Sequence, residues 1–238
     1  MPDLERFAIM HGDLQLCGLV ARPAGPRPLP AVLGMHSALG IHHQVQEKAR
    51  ALGALGYLAI ATDMYGAAAY EAGADGPGLA YAAFAEKPGL LRERVIAWFA
   101  AVAARADVDA ARIAAIGYCF GGTCVLELAR SGADAKAVCA YHGILTTHAP
   151  ALPGAIRGHV AAFCGAKDPY APMDHITALR KELEAAGASY QLGVYGDAEH
   201  GFTDPDAARL GRPGIAYDAY ADKASWAATL AVLGVALA

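Results

Sequence analysis

The stretch RIAAIGYCFGGTCVLELAR, residues 112–130, decides the fold. Residues 112–118 form a short apolar run, as a strand buried on both faces does. From Phe120 the pattern becomes helical and stops near Gly132. Cys119 sits at the junction, with Gly117 and Gly121 two residues to either side and Gly122 beyond. A sharp strand-to-helix turn crowds those flanking positions, and small residues relieve the crowding. The pattern G-x-[SC]-x-G in this context is a nucleophile elbow. A cysteine buried at a glycine-rich turn is the plainer alternative.

The chemistry follows from the geometry. A helix N-terminus offers free N–H groups and partial positive charge, and both favour a thiolate. The N–H of Phe120, the next residue, is placed to meet a developing oxyanion.

Outward from the elbow, strand and helix alternate. AVLGMH (31–36), YLAIATD (57–63), KAVCAYHG (136–143), HVAAFCGAKD (159–168) and SYQLGVYGD (189–197) read as further strands. Helical spacing is seen near 42–55, after Pro88, over 173–188 and over roughly 216–236. Residues 21–30 read as a surface connection, and the Ala/Gly/Tyr-rich loop 66–87 has no decisive period. The fold class is α/β: a mostly parallel central sheet with helices on both faces. Ligands in such sheets gather beyond the carboxyl ends of the strands.

The bulk numbers agree with one domain over residues 1–238: the chain is 55% hydrophobic and 18% charged, with net charge −4. It has no basic run for nucleic acid, no secretory leader pattern and no charge-free span for a membrane. The run 224–238 is apolar but short, and reads as a packed helix. Five cysteines without a paired framework suggest reduced thiols and a cytoplasmic setting. Cys17, Cys139 and Cys164 lie in strand-like runs and Cys124 inside a helix, where cysteine serves as a small hydrophobe.

A cysteine nucleophile needs a histidine in reach and a group to orient it. In the chain order nucleophile, acid, histidine, His200 of GDAEHGFTDP is the last histidine and follows the last strand. Asp168 of FCGAKDPYAP ends the preceding strand and is the candidate acid, with Asp174, Asp197 and Glu199 in reserve. The second oxyanion donor is expected on GMHSALG (34–40), from Ala38 or Ser37. His36, Ser37, Tyr118, His142 and Phe202 are candidate pocket residues. His42 and His43 lack a metal-ligand pattern and read as a solvated helix start, so no metal or organic cofactor is expected.

Taken together, AVLGMHSALG, GYLAIATDMYG, IAAIGYCFGG, GAKDPYAP and EHGFTDP resemble the dienelactone hydrolase family, over nearly the whole chain. The resemblance implies the α/β-hydrolase fold, Cys119 as nucleophile, Asp168 as acid and His200 as base. It also implies an oxyanion hole from the N–H groups of Phe120 and a residue near Ala38. Two features depart from the family. A glutamate that partners the resting cysteine in members acting on dienelactone is matched here by Ser37. The serine and arginine that hold the substrate carboxylate after the histidine are matched by Gly201 and Asp204. An aspartate repels a carboxylate, which argues against dienelactone itself. Arg92 and Arg94 lie in a helix and read more simply as surface charges.

The expectation is therefore a hydrolase of small-molecule esters or lactones, monomer or homodimer. A glutamine amidotransferase is disfavoured, because no glutamate follows two residues after His200. A thiol-sensing or binding protein on the same fold is the remaining alternative.

Overall fold

The computed structural model describes residues 3–73 and 75–238. Eight strands form one sheet: β1 (Leu4–His11), β2 (Leu14–Ala21), β3 (Leu29–Met35), β4 (Leu58–Thr62), β5 (Val108–Tyr118), β6 (Ala137–Tyr141), β7 (His159–Gly165) and β8 (Tyr190–Tyr195). Their spatial order is β1-β2-β4-β3-β5-β6-β7-β8. The β1–β2 and β2–β4 pairs are antiparallel and the others parallel. Seven α-helices are described: α1 (His43–Ala54), α2 (Ala67–Glu71), α3 (Gly76–Glu86), α4 (Pro88–Ala103), α5 (Phe120–Arg130), α6 (Met173–Ala185) and α7 (Ala219–Ala236).

Side chains alternate across each strand, so the apolar runs feed two cores. Leu33, Ile60, Ile113, Ala115 and Val160 meet Val95, Trp98, Val125 and Leu179 of α4, α5 and α6. Val32, Ala59, Ile116, Tyr118 and Phe163 meet Val45, Leu52, Ala221 and Leu233 of α1 and α7 on the other face. Cys139 and Cys164 are filler in these cores, Cys124 packs inside α5, and Cys17 lies half-buried in β2. None of the described helices is long and apolar enough to cross a membrane.

Three regions differ from the sequence reading. Residues 4–21 form a hairpin, closed by Gly12-Asp13 with Gly12 at φ 59°. That two-residue turn is a hairpin signal, but β1 carries only weak alternation. The loop 66–87 contains α2 and α3, whose Ala/Gly composition gives no readable stripe. Arg92 and Arg94 are not surface charges. Arg92 pairs with Glu127, which is buried and also pairs with Arg130. Arg94 is buried, donates to the Met64 carbonyl and lies over the Phe84 ring.

The β5–α5 junction explains its glycines. A Cβ on Gly117 would lie 2.0 Å from the Gly121 carbonyl oxygen, and one on Gly121 would lie 2.2 Å from that of Met35. One on Gly122 would come within 2.8 Å of Gly143 Cα. These are contacts with backbone, which has nowhere to move.

Candidate active site

Cys119 sits at the N-terminal end of α5 with φ 53°. That left-handed conformation is costly for a residue with a Cβ, and strain of this kind persists where surrounding structure over-determines it. Here the Cys119 N–H donates to the Tyr141 carbonyl at 3.0 Å and to His142 Nδ1 at 3.2 Å.

Asp168 follows β7, and its Oδ1 accepts from the N–H groups of Tyr170 (2.8 Å) and Ala171 (3.3 Å). Its Oδ2 lies 2.9 Å from His200 Nδ1. His200 follows β8, and its backbone is tied to Gly214 and Ala216. Its Nε2 lies 3.1 Å from Cys119 Sγ. Asp168 and His200 are both buried. The reserve acids lie elsewhere in role: Asp174 is in the first turn of α6, and Asp197 pairs with Lys167.

The electrostatics favour charge separation. Burial pushes the Cys119 thiol up, but the hydrogen bond and charge of His200, with the N–H groups of Ala38 and Phe120, outweigh it and bring it below its ordinary value. Burial lowers His200, yet Asp168 and Cys119 more than compensate and raise it to about 10. Both shifts run in the direction of a thiolate beside an imidazolium.

A cavity of about 590 Å³ opens over Cys119. Ser37, Ala38 and His142 line it, with apolar walls from Tyr81, Ile144, Tyr170, Leu210 and Ile215. Beyond the Cys119–His200 pair, Asp75, Asp204 and Arg212 are its charged lining. His36, Tyr118 and Phe202 lie outside this lining. All three are fully buried: His36 beneath the 37–42 loop, Tyr118 stacked on Tyr141, and Phe202 against His142. Each neighbours a cavity residue in sequence, but its own side chain turns into the interior.

Two residues that sequence spacing did not mark support His142. Its Nε2 lies 2.8 Å from Thr203 Oγ1, which also accepts from Gln44 Nε2 at 2.9 Å. Because Nδ1 accepts from Cys119, His142 is the neutral Nε2–H tautomer, the form that burial also favours. His42 caps α1 by accepting from the Gln44 N–H, and its Nε2 meets Ser37 Oγ at 3.1 Å. Among the described residues, no three His, Cys, Asp or Glu side chains converge as metal ligands.

A mostly parallel sheet with a nucleophile elbow at the end of a central strand defines the α/β-hydrolase class. Residues 16–237 match the model of the dienelactone hydrolase family. The chain belongs to that family. A Salmonella typhimurium protein named "Putative carboxymethylenebutenolidase" is 29% identical, over 76% of this chain and 71% of its own. The solved structure of m3DLH is 32% identical with TM-score 0.88, covering 99% of both chains. A dienelactone hydrolase-like promiscuous phosphotriesterase, P91, from metagenomic libraries, is 31% identical with TM-score 0.88, covering 99% of this chain and 98% of that one. Family and relatives together support a hydrolase.

Proposed function

We propose that the protein hydrolyses small uncharged carboxylic esters or lactones through a Cys119 thioester, with His200 as acid–base and Asp168 as its orienting partner. The observation that carries this reading is the continuous line from Asp168 Oδ2 through His200 to Cys119 Sγ, at 2.9 and 3.1 Å.

The Cys119 thiolate attacks the acyl carbon, and the carbonyl electron pair moves to oxygen between the N–H groups of Phe120 and Ala38. Collapse of this intermediate expels the alkoxide, which takes the proton from His200 Nε2. Water then attacks the thioester while His200 Nε2 accepts its proton. The second collapse releases the acid and restores the thiolate. Asp168 holds the Nδ1–H tautomer throughout. A cavity with largely apolar walls and carboxylates at Asp75 and Asp204 favours an uncharged acyl group.

Turnover of p-nitrophenyl acetate tests the assignment. Wild type should turn over, and Cys119→Ala should lose at least about a hundredfold in kcat, as loss of a nucleophile does. Equal rates would sink the nucleophile assignment. A thiol-sensing protein would instead be alkylated at Cys119 without any turnover.

Phosphotriester hydrolysis is a second reading, favoured by the likeness to P91. The same two N–H groups can receive a phosphoryl oxygen. Cys119-dependent release of p-nitrophenol from paraoxon would support it, and a rate equal to that of Cys119→Ala would remove it.

A further inference from the structure

The loop that carries Ala38 is gripped from beneath by two rings that the proposed chemistry leaves unused. His36, at the end of β3, is fully buried. Its Nδ1 lies 2.6 Å from the Ser37 carbonyl oxygen, so Nδ1 carries the proton and donates. Its Nε2 accepts from the Met64 N–H at 3.0 Å. The two contacts specify one neutral tautomer. Burial works in the same direction, pushing His36 down to about 4.

The Tyr65 ring meets the His36 ring edge-on at 4.6 Å, and its hydroxyl donates to the Ala38 carbonyl at 3.0 Å. Tyr65 is itself anchored, its N–H donating to Asp63 Oδ1 at 2.8 Å. That carboxylate also accepts from the Tyr70 hydroxyl, which in turn accepts from the Ile41 N–H of the same loop.

The Ser37 carbonyl and the Ala38 N–H belong to one planar trans peptide and point in opposite directions. A donor on that carbonyl therefore aims the N–H and polarises it. That N–H helps hold the Cys119 thiol down, so it lies beside the sulfur, next to where the carbonyl oxygen of an attacked group becomes an oxyanion. The peptide on the other side of Ala38 is held by Tyr65. Both planes flanking the donor are thus fixed by rings from the segments that follow β3 and β4.

We propose that His36 and Tyr65 are positioning residues that clamp the two peptides around Ala38 and so hold its N–H as an oxyanion donor. The proposal rests on the acyl-transfer reading above, but its test does not need turnover. A short aliphatic aldehyde adds reversibly to Cys119. The Sγ–C bond forms, the carbonyl pair moves to oxygen, and the resulting oxyanion rests on the N–H groups of Phe120 and Ala38 beside the protonated His200. Aldehyde affinity thus reports the oxyanion site. Iodoacetamide alkylation reports the thiolate alone, because displacement of iodide forms no oxyanion.

The experiment measures aldehyde protection of Cys119 against iodoacetamide, with alkylation read at its high-pH plateau by peptide mass spectrometry. Tyr65→Phe removes one oxygen and keeps the ring. His36→Leu removes the donor. His36→Asn retains an amide N–H that can reach the Ser37 carbonyl. Aldehyde affinity should fall about tenfold or more in Tyr65→Phe and His36→Leu, with His36→Asn largely restored and plateau alkylation unchanged in all three. Unchanged affinity in Tyr65→Phe overturns the clamp, even if His36→Leu does not fold. A parallel loss of alkylation overturns it too, since the rings would then act on the nucleophile. Clamp-dependent aldehyde binding in a wild type that turns over no ester would retain the clamp and reject the hydrolase reading.

Discussion

Cys119 and His200 form a pair whose charge state depends on each partner. The thiol is brought below its ordinary 9.0 and the imidazole raised from 6.5 to about 10. The sign follows directly. A lowered thiol stays ionised as pH falls below 9.0, while a raised imidazole stays charged as pH rises above 6.5. Both shifts widen the pH range over which the two are charged together. Alkylation of Cys119 by iodoacetamide at pH 7 should therefore be faster than that of an ordinary thiol. In His200→Ala, burial is left with less opposition, so the rate at pH 7 should drop at least about tenfold and climb steadily with alkali. A neutral-pH rate that is the same in both proteins would refute the pair. The residue types behind this pair were legible from spacing, because an elbow cysteine, a strand-end aspartate and a late histidine occupy ordered loops. The 3.1 Å approach of Nε2 to Sγ was not, since it joins residues 81 apart.

At the scale of elements, the β5–α5 junction is the point of least tolerance. The carbonyls of Met35 and Gly121 occupy the space that side chains at Gly121 and Gly117 would need. Gly121→Ala should cost about 3 kcal/mol, the upper end of overpacking penalties, read as a shifted urea midpoint. Gly196→Ala, where nothing lies within 4 Å, is the control and should stay within about 0.5 kcal/mol. Equal shifts would mean that the elbow is not sterically limited. Strands β3 to β7 were readable because burial on both faces leaves uninterrupted apolar runs. The first strand was not, because it is an edge strand with much of its surface exposed. Helices α2 and α3 were unreadable for a different reason: alanine and glycine give no contrast between faces.

For the molecule as a whole, the cavity collects residues from widely separated segments, and their charges act together. Asp75 and Asp204 face it against a single arginine, Arg212. The neutral diester of a short dicarboxylic acid should be hydrolysed with kcat/KM about tenfold above its half-ester, equivalent to ~1.4 kcal/mol of net repulsion. A preference for the half-ester would overturn the uncharged-substrate reading and point to Arg212 as the anion's partner.

Sequence by itself determined the order of strands and helices along β3 to β8, α2 and α3 apart, the elbow glycines, and the three loops that carry Cys119, Asp168 and His200. These are local matters of period, steric room and chain order. Only the tertiary structure decided which neighbours of those residues face the cavity. Ser37 and His142 line it, whereas His36, Tyr118 and Phe202 turn into the interior, and Arg94 is buried beneath Met64 and Phe84. The physical reason is that neighbouring residues at a strand end or in a turn point their side chains to different sides. Which side is cavity and which is core depends on the helices and loops packed against each face, and those come from distant parts of the chain.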